Sequence, residues 1–295
     1  TVCEKRLWGL YPAGAMLARW RLRWAWGRRE ADPAPAAVRQ LVARVVATHP
    51  HDPAAFTQGL ELVGGRLYET TGLNTASGIR EVDRATGRVL RSAPLDDTWF
   101  GEGFTSMGDG RAVQLTWKSG RAVVWDLATF DVVGTFAYGG QGWGLCLLDA
   151  ETLVMSDGTD SLTLREPAGF QRLERIRVTL DGEPVERLNE LECVDGTVWA
   201  NVWQTDRIVA IDPTTGLVVA VVDASGLVTD RSGFKKGDVL NRIALDPDSG
   251  RFLRSRNRWP LLLATVFQPP PPLSPPPPAR PATRTCAASR PAPNT

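Results

Sequence analysis

The chain has 295 residues, with 34 Lys and Arg against 33 Asp and Glu, two His and four Cys, which is room for one large all-β domain or two ordinary ones. Charge is uneven: residues 1–40 hold 8 basic and 3 acidic groups, 268–295 hold 3 basic and none acidic, and 41–267 hold 23 against 30, a net −7 that argues against a nucleic-acid partner. Two histidines and no CxxC pair leave little from which to build a histidine zinc site or a Ser-His-Asp triad.

Residues 1–40 open with Lys5 and Arg6, continue in an apolar run from Leu7 to Ala18, and then reach a basic, Trp-rich cluster from Arg19 to Arg29. The run is too short to span a bilayer as a helix but has the length of a signal-peptide apolar region. We read 1–40 as a basic extension, either a degraded secretory signal or a disordered segment. The corresponding expectations are a place in the secretory pathway, extracellular or periplasmic, and no stable membrane insertion. Residues 31–37, rich in Ala and Pro, read as a linker. A β-branched run follows at 41–46, placed to complete the last repeat of a closed ring. His49 and His51, in Thr48-His-Pro-His-Asp-Pro53, are expected in a Pro-set turn.

Between Phe56 and Arg258 one pattern then recurs five times. An opening residue, usually followed by Gly, leads into a short apolar strand, a turn, a second strand and an Asp-rich hairpin. The openings are Gln58-Gly59-Leu60, Glu102-Gly103-Phe104, Trp143-Gly144-Leu145, Asn189-Glu190-Leu191 and Asn241-Arg242-Ile243, spaced 44, 41, 46 and 52 residues apart. That period is the four-strand blade of a β-propeller. The predicted fold is therefore all-β, a five-bladed β-propeller over 41–267 with four-stranded antiparallel blades around a central channel. No sustained 3.6-residue apolar period appears there, so helices should be scarce.

The hairpins at 80–89, 124–132 and 209–218 share an Asp (Asp83, Asp126, Asp212), with Thr-Gly three and four residues later in the first and third, which suits a tight connection. Cys146 and Cys193 lie in apolar strand runs and read as buried free thiols, since four scattered cysteines make no disulfide framework. Beyond Phe267 the last 28 residues hold 11 of the 22 prolines and read as a Pro-rich disordered tail, 268–295.

Equivalent positions of a propeller converge on one axis, so Gln58, Glu102, Trp143, Asn189 and Asn241 should ring a single pocket. A packing repeat would reuse one residue type, whereas these five differ and are mostly polar, which marks a site. Second-strand clusters add Trp117 and Trp203, 15 and 14 residues after Glu102 and Asn189, as an indole wall. Glu102, between two glycines and among aromatics, should be partly desolvated, with its pKa raised toward the range useful for proton transfer. Glu69, Glu190 and Glu192 compete for that role, Glu69 also as a bond to a neighbouring blade. An axial hard cation held by Glu102, Asn189, Asn241 and Asp157 is the metal alternative, with too few carboxylates to favour it.

Seven segments in order now carry a resemblance: Phe56-Thr-Gln-Gly-Leu60, Phe100-Gly-Glu-Gly103, Leu115-Thr-Trp-Lys118, Gly142-Trp-Gly-Leu145, Leu188-Asn-Glu-Leu-Glu192, Asn201-Val-Trp203 and Leu240-Asn241. Over about residues 44–267 the chain resembles the plant and bacterial type of glutaminyl-peptide cyclotransferase, the five-bladed propeller glutaminyl cyclase. The resemblance implies a metal-free enzyme without cofactor, a monomer whose substrates are peptides or proteins with N-terminal Gln. It implies that Glu102 is the catalytic acid/base, that Gln58, Asn189 and Asn241 are polar pocket residues, and that Phe56, Trp117, Trp143 and Trp203 form the aromatic wall. Two departures stand out: Arg242 replaces the family's Gly, and Ser255-Arg-Asn257 replaces a Thr-Gly-Lys. The first threatens to crowd the pocket, and the second removes a Lys for which Arg256 or Arg258 is the available substitute. A propeller that kept the scaffold as a binding module, its fifth blade altered, is the competing reading.

Overall fold

The computed structural model describes residues 37–228 and 241–272. The basic extension up to residue 36 and the tail from 273 lie outside the described residues.

Strand β1 (Arg39–Pro50) comes first, and four strands follow as an antiparallel sheet in chain order: β2 (Thr57–Val63), β3 (Arg66–Thr71), β4 (Gly78–Val82) and β5 (Val89–Pro94). The next two sheets repeat that plan. One is β6 (Gly101–Ser106), β7 (Arg111–Thr116), β8 (Arg121–Asp126) and β9 (Val132–Ala137); the other is β10 (Leu145–Asp149), β11 (Thr152–Ser156), β12 (Ser161–Arg165) and β13 (Arg172–Arg177). A small ribbon of β14 (Thr179–Leu180) and β15 (Glu183–Pro184) intervenes. Then come β16 (Leu188–Val194), β17 (Thr197–Val202), β18 (Arg207–Ile211) and β19 (Val218–Asp223), and finally β20 (Ala244–Asp246), β21 (Arg251–Arg254) and β22 (Leu261–Gln268). Among the described residues the sole helical element is a 3-10 turn, Ser225–Leu227. The expected scarcity of helices holds.

The last seven strands join β1 in one eight-stranded sheet, ordered β16-β17-β18-β19-β1-β22-β21-β20. β1 runs antiparallel to β22 from Val42↔Gln268 to Pro50↔Leu261, so the start of the described chain supplies a fourth strand to the last three. On its other edge it runs parallel to β19, from Arg39↔Ala220 to Val42↔Asp223. The β-branched run at 41–46 thus covers two open strand edges, which would otherwise expose unpaired N–H and C=O groups.

Outer strands are the less buried ones where nothing covers them, and β19, covered by β1, is largely buried. β6 is buried at every position, whereas β9 and β13 are mostly exposed. The first strands also touch one another in a cycle, β2 with β6, β6 with β10, β10 with β16, β16 with β20, and β20 with β2. Apolar clusters fill the spaces between successive sheets. Tyr68 and Ile79 pack with Phe104, Val123 and Trp125, and Val113 and Leu115 pack with Leu145, Leu153 and Met155. Leu60 and Leu67 close the series against Leu253 and Leu262. Each such Leu or Val contributes ~1.5–3 kcal/mol when fully buried.

Close approach of the first strands explains the Gly after the opening residue. Gly103 N donates to Trp143 O at 2.7 Å, and a Cβ on Gly103 would lie 2.5 Å from that oxygen. A Cβ on Gly144 would lie 2.2 Å from Asn189 O. Any side chain there would push neighbouring strands apart. The hairpin Asp residues also act locally: Asp126 Oδ1 accepts from the backbone N–H groups of Ala128 and Thr129, and Asp83 Oδ1 from those of Ala85 and Thr86. Gly87 and Gly216 take the positive φ expected of them.

Two expectations need correction. Cys146 and Cys193 form a disulfide, with Cα atoms 5.5 Å apart. They stand three and four residues after consecutive opening residues, so touching first strands β10 and β16 bring them together across 47 residues of sequence. The two histidines are not in a turn. His49 belongs to β1, which continues through Pro50, and His51 is buried just beyond it.

Candidate active site

The first strands and the segments that enter them enclose a pocket of about 220 Å3. It is lined by Phe56, Gln58, Phe100, Glu102, Trp117, Trp143, Asn189, Trp203, Asn241 and Asn257. All eight residues expected at the site from the sequence are among them. The convergence follows from the repeat, because Gln58 and Glu102 begin or nearly begin first strands that touch, and Trp117 follows directly on β7.

Glu102 is 7 % exposed and is the one carboxyl in the lining. Gln58 Nε2 donates to its Oε2 at 2.6 Å. Burial pushes the Glu102 pKa well above the ordinary 4.5, against the pull of the Arg242 charge and the Gln58 hydrogen bond. Opposing effects thus meet on one carboxyl: burial favours its neutral form, and the Arg242 charge and the Gln58 hydrogen bond favour its charged form.

The aromatic side is built from edge-to-face contacts. Phe56 meets Phe100 with ring centroids 6.0 Å apart, Phe100 meets Trp117 at 5.7 Å, and Trp143 meets Trp203 at 5.5 Å. Such pairs prefer crossed planes because the ring edge is positive and its face negative, each adding ~0.5–1.5 kcal/mol. Gln141 ties the wall together: its Oε1 accepts from Trp117 Nε1 at 2.6 Å and from Trp143 Nε1 at 3.1 Å. Cations stack on the outer members, Lys118 over Trp117 at 3.9 Å and Arg258 over Phe56 at 5.0 Å. Asn241 Oδ1 is buried without a hydrogen-bond partner, an acceptor within the lining.

Phe100, Gln141 and Asn257 were not expected at the site. Phe100 and Gln141 each stand two residues before an opening residue, the position that Phe56 holds in the first repeat, so the repeat carried a signal for both. Asn257 lies in the divergent stretch after β21, where the resemblance puts the family's Lys, so the position carried a signal although its residue type did not. Arg242 does not crowd the pocket. It is fully buried outside the lining, where Nη2 donates to Gln58 Oε1 at 2.6 Å and to Asn257 Oδ1.

The competing carboxyls go elsewhere. Glu69, fully buried, accepts from Thr57, from His51 Nε2 at 3.0 Å and from Arg80 Nε at 2.7 Å. Burial alone would raise its pKa, but the His51 hydrogen bond and charge, Arg80 and Thr57 outweigh it and hold Glu69 at about 2. His51 Nδ1 meets the Trp259 carbonyl at 2.8 Å. Both ring nitrogens thus face acceptors, and the ring is an imidazolium. Instead of bonding the next sheet, Glu69 binds within its own sheet and, through His51, fastens it to the segment before β22. Glu190 is 1 % exposed and no side-chain donor reaches its oxygens. Glu192 lines a different cavity with Glu61, Thr105 and Cys146, each three residues after an opening residue. Asp157, the other oxygen candidate, is bonded to Arg175 and Thr159 outside the lining. Among the described residues no three His, Cys, Asp or Glu side chains cluster as metal ligands, and no helix is long and apolar enough to cross a membrane.

Comparison with known proteins points to one family. Residues 21–267 match the family model for glutamine cyclotransferase. The chain is 38% identical over 242 residues to the glutaminyl-peptide cyclotransferase of Arabidopsis thaliana, covering 81% of this chain and 75% of that protein. The crystal structure of Myxococcus xanthus glutaminyl cyclase superposes with a TM-score of 0.71 at 36% identity, covering 79% of this chain and 99% of that one.

Proposed function

The chain belongs to the glutamine cyclotransferase family, an enzyme that turns the N-terminal Gln of peptides into pyroglutamate, and we propose that Glu102 moves the proton in that reaction. The observation that carries the proposal is a lone carboxyl in an aromatic pocket, its pKa raised by burial.

The substrate α-amine attacks the carbonyl carbon of its own γ-carboxamide, a C–N bond forms, and the bond to the amide nitrogen breaks to release ammonia. Glu102 as carboxylate takes a proton from the attacking amine and returns it to the departing nitrogen, so the enzyme ends as it began. Asn189, Asn241 and Gln58 orient the carboxamide and stabilise the charge that develops on its oxygen, a task for fixed dipoles. The Phe56, Phe100, Trp117, Trp143 and Trp203 wall holds the side chain folded back on the amine, an intramolecular geometry that removes much of the entropic barrier. It also excludes water, whose attack on the same carbon would yield Glu.

The finer reading of the fold is a five-bladed propeller. The five four-stranded sets and the cycle of contacts among β2, β6, β10, β16 and β20 support it. A location in the secretory pathway, extracellular or periplasmic, is supported by the Cys146–Cys193 bond, since such bonds persist in oxidising compartments. We read the enzyme as a monomer acting without metal.

The test is incubation with a short Gln-initiated peptide, following loss of ammonia by mass, with and without chelator. Glu102→Gln should abolish cyclisation while thermal unfolding is unchanged. Turnover retained by folded Glu102→Gln would refute the assignment, and collapse of wild-type activity in chelator would favour the metal alternative.

A further inference from the structure

Opening residues one to three are followed by Gly59, Gly103 and Gly144, but the fourth and fifth by Glu190 and Arg242. Both of these side chains are buried, at 1 % and 0 % exposure. Opposite charges thus occupy equivalent positions of neighbouring repeats, beside the pocket and outside its lining.

Arg242 Nη1 donates to Asn241 O at 2.9 Å, while Nη2 donates to Gln58 Oε1 at 2.6 Å and to Asn257 Oδ1. A guanidinium has donors only, so Gln58 must turn its carbonyl to Arg242 and its NH2 to Glu102. Four charged groups act on or are acted on by Arg242: Glu102 of β6, Glu190 of β16 and Glu69 of β3 attract it, and Arg254 of β21 is repelled. Tyr138 also faces Glu102, and Glu192 faces Glu190.

On the premise that Glu102 carries the proton, we propose that Arg242 is a positioning residue: it locks the Gln58 amide against Glu102 and supplies the counter-charge for one dry carboxylate, for which Glu190 competes. One cation between two desolvated carboxyls stabilises a single negative charge, because a second would stand without a partner. Gln58 donates a 2.6 Å hydrogen bond to the charged form of Glu102, whereas Glu190 has only the weaker pull of the Leu60 backbone and no side-chain donor. Glu102 therefore ionises first, and Glu190 keeps its proton. Burial lowers Arg242 to about 10, with Glu190 and Glu102 opposing the fall, so it remains a cation at neutral pH.

The experiment follows the Glu102 carboxyl by carbon-13 NMR in protein labelled at the glutamate side-chain carboxyls, assigned by its loss in Glu102→Gln. The pH profile of kcat/KM on a Gln-initiated peptide is measured in parallel. In Arg242→Gln the Glu102 midpoint and the acidic limb of the profile should move up together, costing about tenfold in kcat/KM on that limb for each pH unit moved. Arg242→Lys should bring the midpoint most of the way back, and Glu190→Gln, a neutral group for a neutral group, should leave it in place. A merely structural Arg242 would lower activity equally at every pH. An unmoved midpoint in folded Arg242→Gln overturns the proposal. So does a midpoint that falls in the nearly isosteric Glu190→Gln, since Glu190 would then hold the charge that Arg242 partners; this decides the matter if Arg242→Gln does not fold. Wild-type protein that titrates at Glu102 but makes no pyroglutamate refutes the functional reading instead, and the NMR arm still tests Arg242.

Discussion

Reducing the Cys146–Cys193 bond should cost the protein a large part of its stability and little of its activity. The bond closes a loop across 47 residues. Restricting the unfolded chain by a loop of that length is worth about 4 kcal/mol at room temperature in the chain-entropy account. Little offsets the loss on the folded side, because Cys146 is buried in an apolar cluster and Cys193 packs against it, where thiols sit as small hydrophobes. With a guanidinium dependence of roughly 4 kcal/mol per molar for a domain of this size, the unfolding midpoint should fall by about 1 M. The assay is guanidinium unfolding followed by fluorescence of the tryptophans, with and without reductant, repeated on the Cys146→Ser, Cys193→Ser double variant. Neither sulfur lines the active-site pocket, so kcat/KM in dilute buffer should be preserved. A midpoint that reductant leaves in place, with all four thiols titrating in the untreated protein, would refute the reasoning.

Gly144→Ala should destabilise by about 1–3 kcal/mol and lower kcat/KM, because its Cβ meets the Asn189 backbone at 2.2 Å and displaces a pocket residue; calorimetry and peptide kinetics check both. Gly134→Ala is the control: its Cβ would find Val124 at an ordinary 3.8 Å, and the melting temperature should hold or rise. Trp203→Ala removes the edge contact with Trp143 and admits water, so mass spectrometry should show some Glu product beside pyroglutamate and about a hundredfold lower kcat/KM. The His51–Glu69 pair predicts a bell-shaped stability profile. Glu69, held at about 2 against an ordinary 4.5, stabilises the fold above 4.5 and loses that effect as pH falls toward 2. In His51, burial lowers the pKa but is outweighed by the Glu69 hydrogen bond and charge, which hold it above 6.5, so its contribution is complete below 6.5 and lost as pH rises through the folded value. Thermal melts should therefore lose acid and alkaline increments together in His51→Gln; a profile of unchanged shape would dismiss the pair as a determinant.

Much of this molecule was legible in one dimension because its regularities are local and repeated. Strand alternation, Asp-led hairpins and the spacing of Gln58, Glu102, Trp143 and Asn189 are properties of short segments, and repetition multiplies a weak local signal into an architecture. The pocket lining followed, since equivalent residues of touching first strands must face one another. What sequence could not separate were choices made between segments. Glu69, Glu102, Glu190 and Glu192 are all glutamates of strand interiors or edges, yet one meets His51 and Arg80, one lines the pocket, one lies beside Arg242 and one enters another cavity. The pairing of Cys146 with Cys193 depended on how closely β10 and β16 approach, and the direction of Arg242 on where Gln58 and Asn257 offered acceptors. Desolvation and pairing are set by neighbours distant in the chain, so the residue types were written in the sequence, and only the tertiary structure decided which carboxyl would be left dry, which cation would stand beside it and which thiols would meet.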